Sequence, residues 1–256
     1  MDWLYHENNI KGKIARDYKG RGRDFEIFHE NKYLRYKGKQ LAITSAKKTD
    51  VLEKSRLLNE YLVEIDRFNK GNWITQQSKF RPTVYEEFLG FLFKDEPQLK
   101  KLGLAFFNKG LYAGLSIGRD GNPKVIRKDI DFSIGKEITT LFGEPLKGIE
   151  TRITVPLVAV EAKTYIDKTM FNEAQYTAEI LKRGNPDVKV YVFAGTNEID
   201  LNQIPSYSPL DEVFIVTGPK GISGETVYDF FSEVGKVLDG YSEEKIVLLP
   251  GRLFGR

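Results

Sequence analysis

Cysteine is absent from the 256 residues, and histidine occurs only twice, as His6 and His29. The first absence excludes disulfides, a thiol nucleophile, iron–sulfur clusters and cysteine-ligated zinc. The second confines histidine chemistry to the first 30 residues, so a histidine-dependent triad or histidine metal cage elsewhere has no material. No segment approaches the roughly 18 consecutive apolar residues of a membrane span. The opening MDWLYHENNIKGK also lacks the apolar run of a secretion signal. These absences point to a cytoplasmic protein. Its chemistry has to rest on carboxylates, amines, hydroxyls and a hard metal ion held by oxygen.

Net charge is also scarce: +3 in total, too little by itself to argue for a polyanionic partner. Its distribution says more. Residues 1–48 hold 12 Lys and Arg against 6 Asp and Glu, and the remainder is net acidic. Tyr5, Tyr18, Phe25, Phe28, Tyr33 and Tyr36 are interleaved with that basic charge. Such a mixture suits phosphate contact and base stacking, and an N-terminal extension with solvated charges is the plain alternative. The glycine-bearing stretch KGKIARDYKGRGR (11–23) reads as a flexible arm that orders on a polyanion.

Hydrophobic spacing predicts a helix over 49–68, capped by Thr49 or Asp50, and a second from 83, where Thr83 and Glu86 have capping-box spacing. From about 102 the pattern turns to strands: LGLAFFN, LYAGLSIG, KVIRKDIDFSIG and the nearly unbroken apolar run ITVPLVAVEAKTY (153–165). A strand buried on both faces has that last composition. A helix over 169–183, strands at 188–195 and 212–218 and a helix over 224–240 follow. The order helix, three strands, helix, strand predicts one α/β domain with a mixed central sheet. Residues 1–82 form its helical and basic elaboration and 83–256 its core. The stretch 218–224 lies where phosphate loops occur, but it lacks their Gly-Lys-Ser/Thr ending and reads as a flexible connection.

The sharpest chemical feature is Glu161-Ala162-Lys163. The triplet Asp/Glu-x-Lys is common by chance, and Asp17, Glu30, Asp187 and Glu243 each lead another. Context separates this one: it ends the most apolar strand, and period-two alternation puts Glu161 and Lys163 on one face. Charge at the edge of a core is costly unless it is paired or coordinating. A structural Glu–Lys pair is the plain alternative. Asp129 and Asp131 share a face of the preceding strand. If the two strands are neighbours, Asp131 and Glu161 converge on one divalent cation. In the helix before the sheet, Glu86 is explained as the partner of Thr83. Glu87 is not: it is a candidate for an outer metal contact, and a solvated helix charge is the plain alternative.

Taken together, TyrGluGluPheLeu (85–89), AspIleAspPheSerIleGly (129–135) and ValGluAlaLysThrTyrIleAspLysThrMetPhe (160–171) resemble the PD-(D/E)XK nuclease superfamily over roughly 83–195. Ile130 stands where the motif's proline would. The stretches are similar to type II restriction endonucleases, in particular those that cut asymmetric, interrupted sites with two non-identical subunits. The resemblance implies a restriction-endonuclease-like core acting on double-stranded DNA with Mg²⁺, for which Mn²⁺ substitutes. It implies Asp131 and Glu161 as metal ligands, Lys163 orienting or deprotonating the attacking water, and Glu87 as the auxiliary helix acid. Lys163, partly desolvated, is expected to be pushed toward its neutral form. Gln76, Gln77, Lys79, Arg81 and Lys168 have the inventory for DNA contacts. One such site cuts one strand, so a second subunit, identical or not, is expected. A structure-directed repair nuclease or resolvase of the same fold, and a non-catalytic DNA-binding module, are the alternatives.

Overall fold

The computed structural model describes residues 3–71, 73–75, 78–142, 148–200 and 207–242. Six helices precede the sheet: α1 (Tyr5–Ala15), α2 (Gly22–Phe28), α3 (Leu34–Ala42), α4 (Lys48–Phe68), α5 (Pro82–Phe93) and α6 (Pro97–Leu102). A 3-10 turn, Tyr18–Gly20, separates α1 from α2, and a π-helical stretch, His29–Tyr33, joins α2 to α3. The strands are β1 (Ala105–Phe107), β2 (Leu111–Ile117), β3 (Pro123–Lys128), β4 (Phe132–Phe142), β5 (Ile149–Ile166), β6 (Lys189–Asn197) and β7 (Glu212–Ile215). Helix α7 (Lys168–Gly184) joins β5 to β6. A small hairpin, β8 (Thr217–Gly218) and β9 (Gly221–Ile222), precedes α8 (Gly224–Ser242). Among the described residues no helix is long and apolar enough to cross a membrane.

The sheet is mixed, as the sequence pattern predicts. β5 is its axis: antiparallel to β4, parallel to β6 along its C-terminal half, and parallel to β2 near its N-terminal half. Both faces of β5 are buried. Val158, Val160 and Ala162 pack with the helices on one side, whereas Ala159 packs with α7 on the other. That is the reason for its unbroken apolar composition.

The N-terminal segment departs from expectation. Residues 11–23 are the end of α1, the 3-10 turn and the start of α2, not a flexible arm. Phe25, Phe28, Tyr33 and Tyr36 are buried in the same cluster as Phe88 and Phe91 of α5, and Tyr5 and Tyr18 pack against it. Aromatic rings spaced among lysines are therefore core, and one lysine of the segment, Lys13, is buried with them. The 1–82 elaboration and the 83–256 core share that one cluster. Helix α4 starts at Lys48 after Lys47, with no side-chain cap, because Asp50 instead accepts from the Ser45 hydroxyl. The 218–224 stretch is the β8–β9 hairpin, held where Asn59 Oδ1 accepts the Ile222 N–H at 3.1 Å.

Candidate active site

The register of β4 on β5 builds the site. Phe132 pairs with Val160, so the residue before β4 meets the residue after Val160 within the middle of the sheet. Asp131 Oδ2 accepts the backbone N–H of Ala162 at 3.0 Å, which locks its carboxylate between Glu161 and Lys163. Lys163 Nζ lies 2.8 Å from that same oxygen and 2.7 Å from Glu161 Oε2. The three side chains are 11–25% exposed, at the boundary between core and solvent. Asp129 does not join them: it lies before β4 and accepts the Gly110 N–H at 2.8 Å.

The electrostatics follow from this geometry. Burial, and the neighbouring Asp131 charge, push the Glu161 carboxyl up, while Lys163 opposes that shift. For Lys163, burial disfavours the ammonium, but Asp131 and Glu161 outweigh burial and raise its pKa. The expected drift toward a neutral amine is thus not what the site does. Two carboxylates within 3 Å hold the charge in place.

The helix acid is a further correction. Glu87 faces away from the cluster. It is completely buried, and its Oε2 accepts the backbone N–H groups of His6 and Glu7, both at 3.0 Å, at the start of α1. Burial pushes its carboxyl up to about 8. The acid that feels the cluster is Glu86, raised to about 7 by burial and by Asp131, against the pull of Lys79 and Lys163. Its capping role does not form. Pro82 occupies the first turn of α5, and no side chain caps that helix. Thr83 sits inside the turn and its hydroxyl donates back to the Lys79 and Phe80 carbonyls at 2.9 and 3.1 Å. The signal that could have separated the two acids is that proline, which starts the helix ahead of Thr83.

Of the DNA-contact candidates, Gln76 and Gln77 lie outside the described residues. Lys79 is exposed, in a left-handed backbone conformation with φ 54°. Arg81 pairs with Asp66. Lys168 is the exposed first residue of α7, whose N-terminus is capped by Asp167 Oδ1 accepting from Met170 N at 2.8 Å. A cleft of about 770 Å³ is lined by Asn69, Thr75, Arg81, Tyr85, Thr164 and Thr196 among others; Asp131, Glu161 and Lys163 do not line it.

Two acids and a lysine thus meet at the end of two paired central strands. The family model described as Bpu10I restriction endonuclease matches residues 77–243, and the chain belongs to that family. It is a type II restriction endonuclease, a site-specific deoxyribonuclease acting on double-stranded DNA. A solved structure described as "native BbvCI A2B2 tetramer at low resolution" has a similar fold, with a TM-score of 0.67 and 17% identity, covering 94% of this chain and 98% of that one. No curated protein sequence matches.

Proposed function

We propose that this chain cuts one strand of an asymmetric DNA site in a Mg²⁺-dependent reaction, using Asp131, Glu161 and Lys163 with Glu86 beside them. The observation that carries the reading is the convergence of two carboxylates on the Lys163 ammonium, 2.8 and 2.7 Å away. Their oxygens already enclose one cation and are the hard donors a divalent ion prefers. Among the described residues, no cluster of three or more His, Cys, Asp or Glu side chains is arranged to hold a metal. Asp131 and Glu161 would therefore hold Mg²⁺, or Mn²⁺ in its place, as a pair, in keeping with the tendency of Mg²⁺ to retain waters and substrate phosphate oxygens. When bound, that ion supplies charge neutralisation at the phosphate and lowers the pKa of water.

The chain's own groups do the rest. Lys163 Nζ, charged and tethered, donates hydrogen bonds that orient a water against the phosphorus and offset charge building on the phosphate oxygens. Glu86, held near 7, is matched to accept a proton at neutral pH. Asp131 keeps its position through the Ala162 N–H, so it does not depend on the ion for its orientation.

One such site hydrolyses one strand, so a second active site completes the break. The A2B2 composition of the similar BbvCI tetramer supports a non-identical partner subunit. Digesting a sequenced plasmid with the chain, in Mg²⁺ and in EDTA, and sequencing run-off products tests the reading. Mg²⁺-dependent cuts at discrete positions are expected. Cutting only at flaps or junctions, or equal cutting in EDTA, would overturn it.

A further inference from the structure

Lys13 is 1% exposed, and among the described residues no carboxylate pairs with its ammonium. Burying a charge without a counter-charge costs the fold free energy. Lys13 gains one hydrogen bond in return: Nζ donates to the backbone carbonyl of Ser78 at 2.9 Å, beside the Tyr18 ring at 4.7 Å. Asn9, one turn earlier on the same face of α1, donates to the same carbonyl at 3.0 Å. The 3-10 turn and the residue after it add three contacts. Tyr18 Oη meets Thr75 Oγ1 at 3.3 Å, and Lys19 Nζ donates to the Trp73 carbonyl at 2.7 Å. The Arg21 guanidinium lies 3.9 Å from the centre of the Trp73 ring. Five side chains from 9–21 thus grip Trp73, Thr75 and Ser78.

Next in the chain is Lys79. A non-glycine residue at φ 54° is strained unless its surroundings fix it. Ser78 is fixed by the grip on one side. On the other, the Lys79 carbonyl accepts from the Thr83 N–H at 3.2 Å and the Thr83 hydroxyl at 2.9 Å, in the first turn of α5. That helix carries Glu86, whose carboxyl feels Lys79 as well as Asp131 and Lys163. Lys79 is exposed and lies just before that helix, on a backbone clamped from both ends.

We propose that Lys13 is a positioning residue: by holding the Ser78 carbonyl it fixes Lys79 against a DNA phosphate beside the cut, so the N-terminal segment is a brace for a DNA-contacting loop and not a DNA-binding arm. The inference rests on the nuclease reading above and deepens it.

Salt-dependent binding tests it. The full chain and its variants are titrated in EDTA against a fluorescent 30-base-pair duplex over a series of NaCl concentrations. Lys79→Ala loses one phosphate contact, so the slope of log affinity against log salt becomes shallower by about 0.9. Lys13→Met removes no exposed charge, yet it shallows the slope by the same amount, and the double variant binds no more weakly than either single one. Lys13→Arg, which keeps a donor, restores most of the slope. A merely structural Lys13 would lower the thermal midpoint and leave the slope alone. A folded Lys13→Met with the wild-type slope, or with a loss that adds fully to that of Lys79→Ala, overturns the proposal. If Lys13→Met does not fold, Asn9→Ala decides, since it removes the second donor to the same carbonyl. A slope shallower than wild type supports the brace, and an unchanged slope overturns it. A wild-type chain that neither binds this duplex nor cuts DNA overturns the nuclease reading as well.

Discussion

Glu86 and Glu87 are consecutive on α5 and belong to opposite surroundings. Glu86 lies in the field of Asp131, Lys79 and Lys163, whereas Glu87 accepts the His6 and Glu7 N–H groups at 3.0 Å on the far side of the helix. Successive helical residues point about 100° apart, so one acid feels the cluster and the other is taken by α1.

The two acids therefore fail differently when removed. Glu86→Gln relieves repulsion from Asp131, so stability holds while cleavage falls by roughly 10²-fold. Glu87→Ala strips buried N–H groups of their acceptor and costs about 2–4 kcal/mol of stability. Urea unfolding curves and single-turnover cleavage rates, measured on both variants, separate the effects.

Glu87 also gives the fold a pH dependence of unusual sign. Its folded pKa, about 8, lies above the ordinary value of 4.5, so the folded state binds more protons between those limits. Its contribution is full below pH 4.5 and is lost as pH rises through 8. His6 acts oppositely. Burial lowers it to about 3 from 6.5, so its contribution is full above 6.5 and is lost as pH falls toward 3. The bonds to Tyr61 Oη at 2.8 Å and Thr83 Oγ1 at 3.0 Å hold the neutral ring. From pH 6.5 to 8, wild type should lose about 2 kcal/mol relative to Glu87→Gln. Chemical denaturation of both proteins across that range checks it; parallel profiles would contradict it.

Gly195 lies on β6 against β5. A Cβ there would collide with the Thr164 carbonyl, next to Lys163, and crowd the Tyr85 hydroxyl. Gly195→Ala should cost about 1–3 kcal/mol and, by displacing β5, reduce cleavage as well. Thermal melts with cleavage assays show whether both move together.

Deleting residues 1–42 should unfold the protein, because Phe25, Phe28, Tyr33 and Tyr36 would leave the core that they share with α5. A truncated chain with a native circular dichroism spectrum and merely weaker DNA binding would favour the arm that the sequence suggests.

The sheet and its carboxylate pair are legible in the sequence because burial writes itself into composition. ITVPLVAV needs two covered faces, and a Glu-x-Lys at its end stands out against that run. The convergence of Asp131 with Glu161 follows once β4 and β5 are neighbours, and the register shows that they are. Four readings go astray where local pattern competes with tertiary contact, one of them Glu87, which α1 takes. Thr83 and Glu86 have capping-box spacing, but Pro82 already starts the helix. Lys163 looks desolvated in sequence, but only the structure shows two acids around it. The basic, aromatic start suggests a nucleic-acid arm because composition cannot tell a stacking ring from a core ring; the burial of Phe25 and Tyr33 decides it.

The central claim is that Lys163, between Asp131 and Glu161, belongs to the cutting machinery and not to the scaffold. The most direct test is Lys163→Ala, with DNA affinity and Mg²⁺-dependent cleavage measured on the same preparation. Loss of cleavage with DNA binding largely retained is expected. A Lys163→Ala protein that cuts as fast as wild type would contradict it.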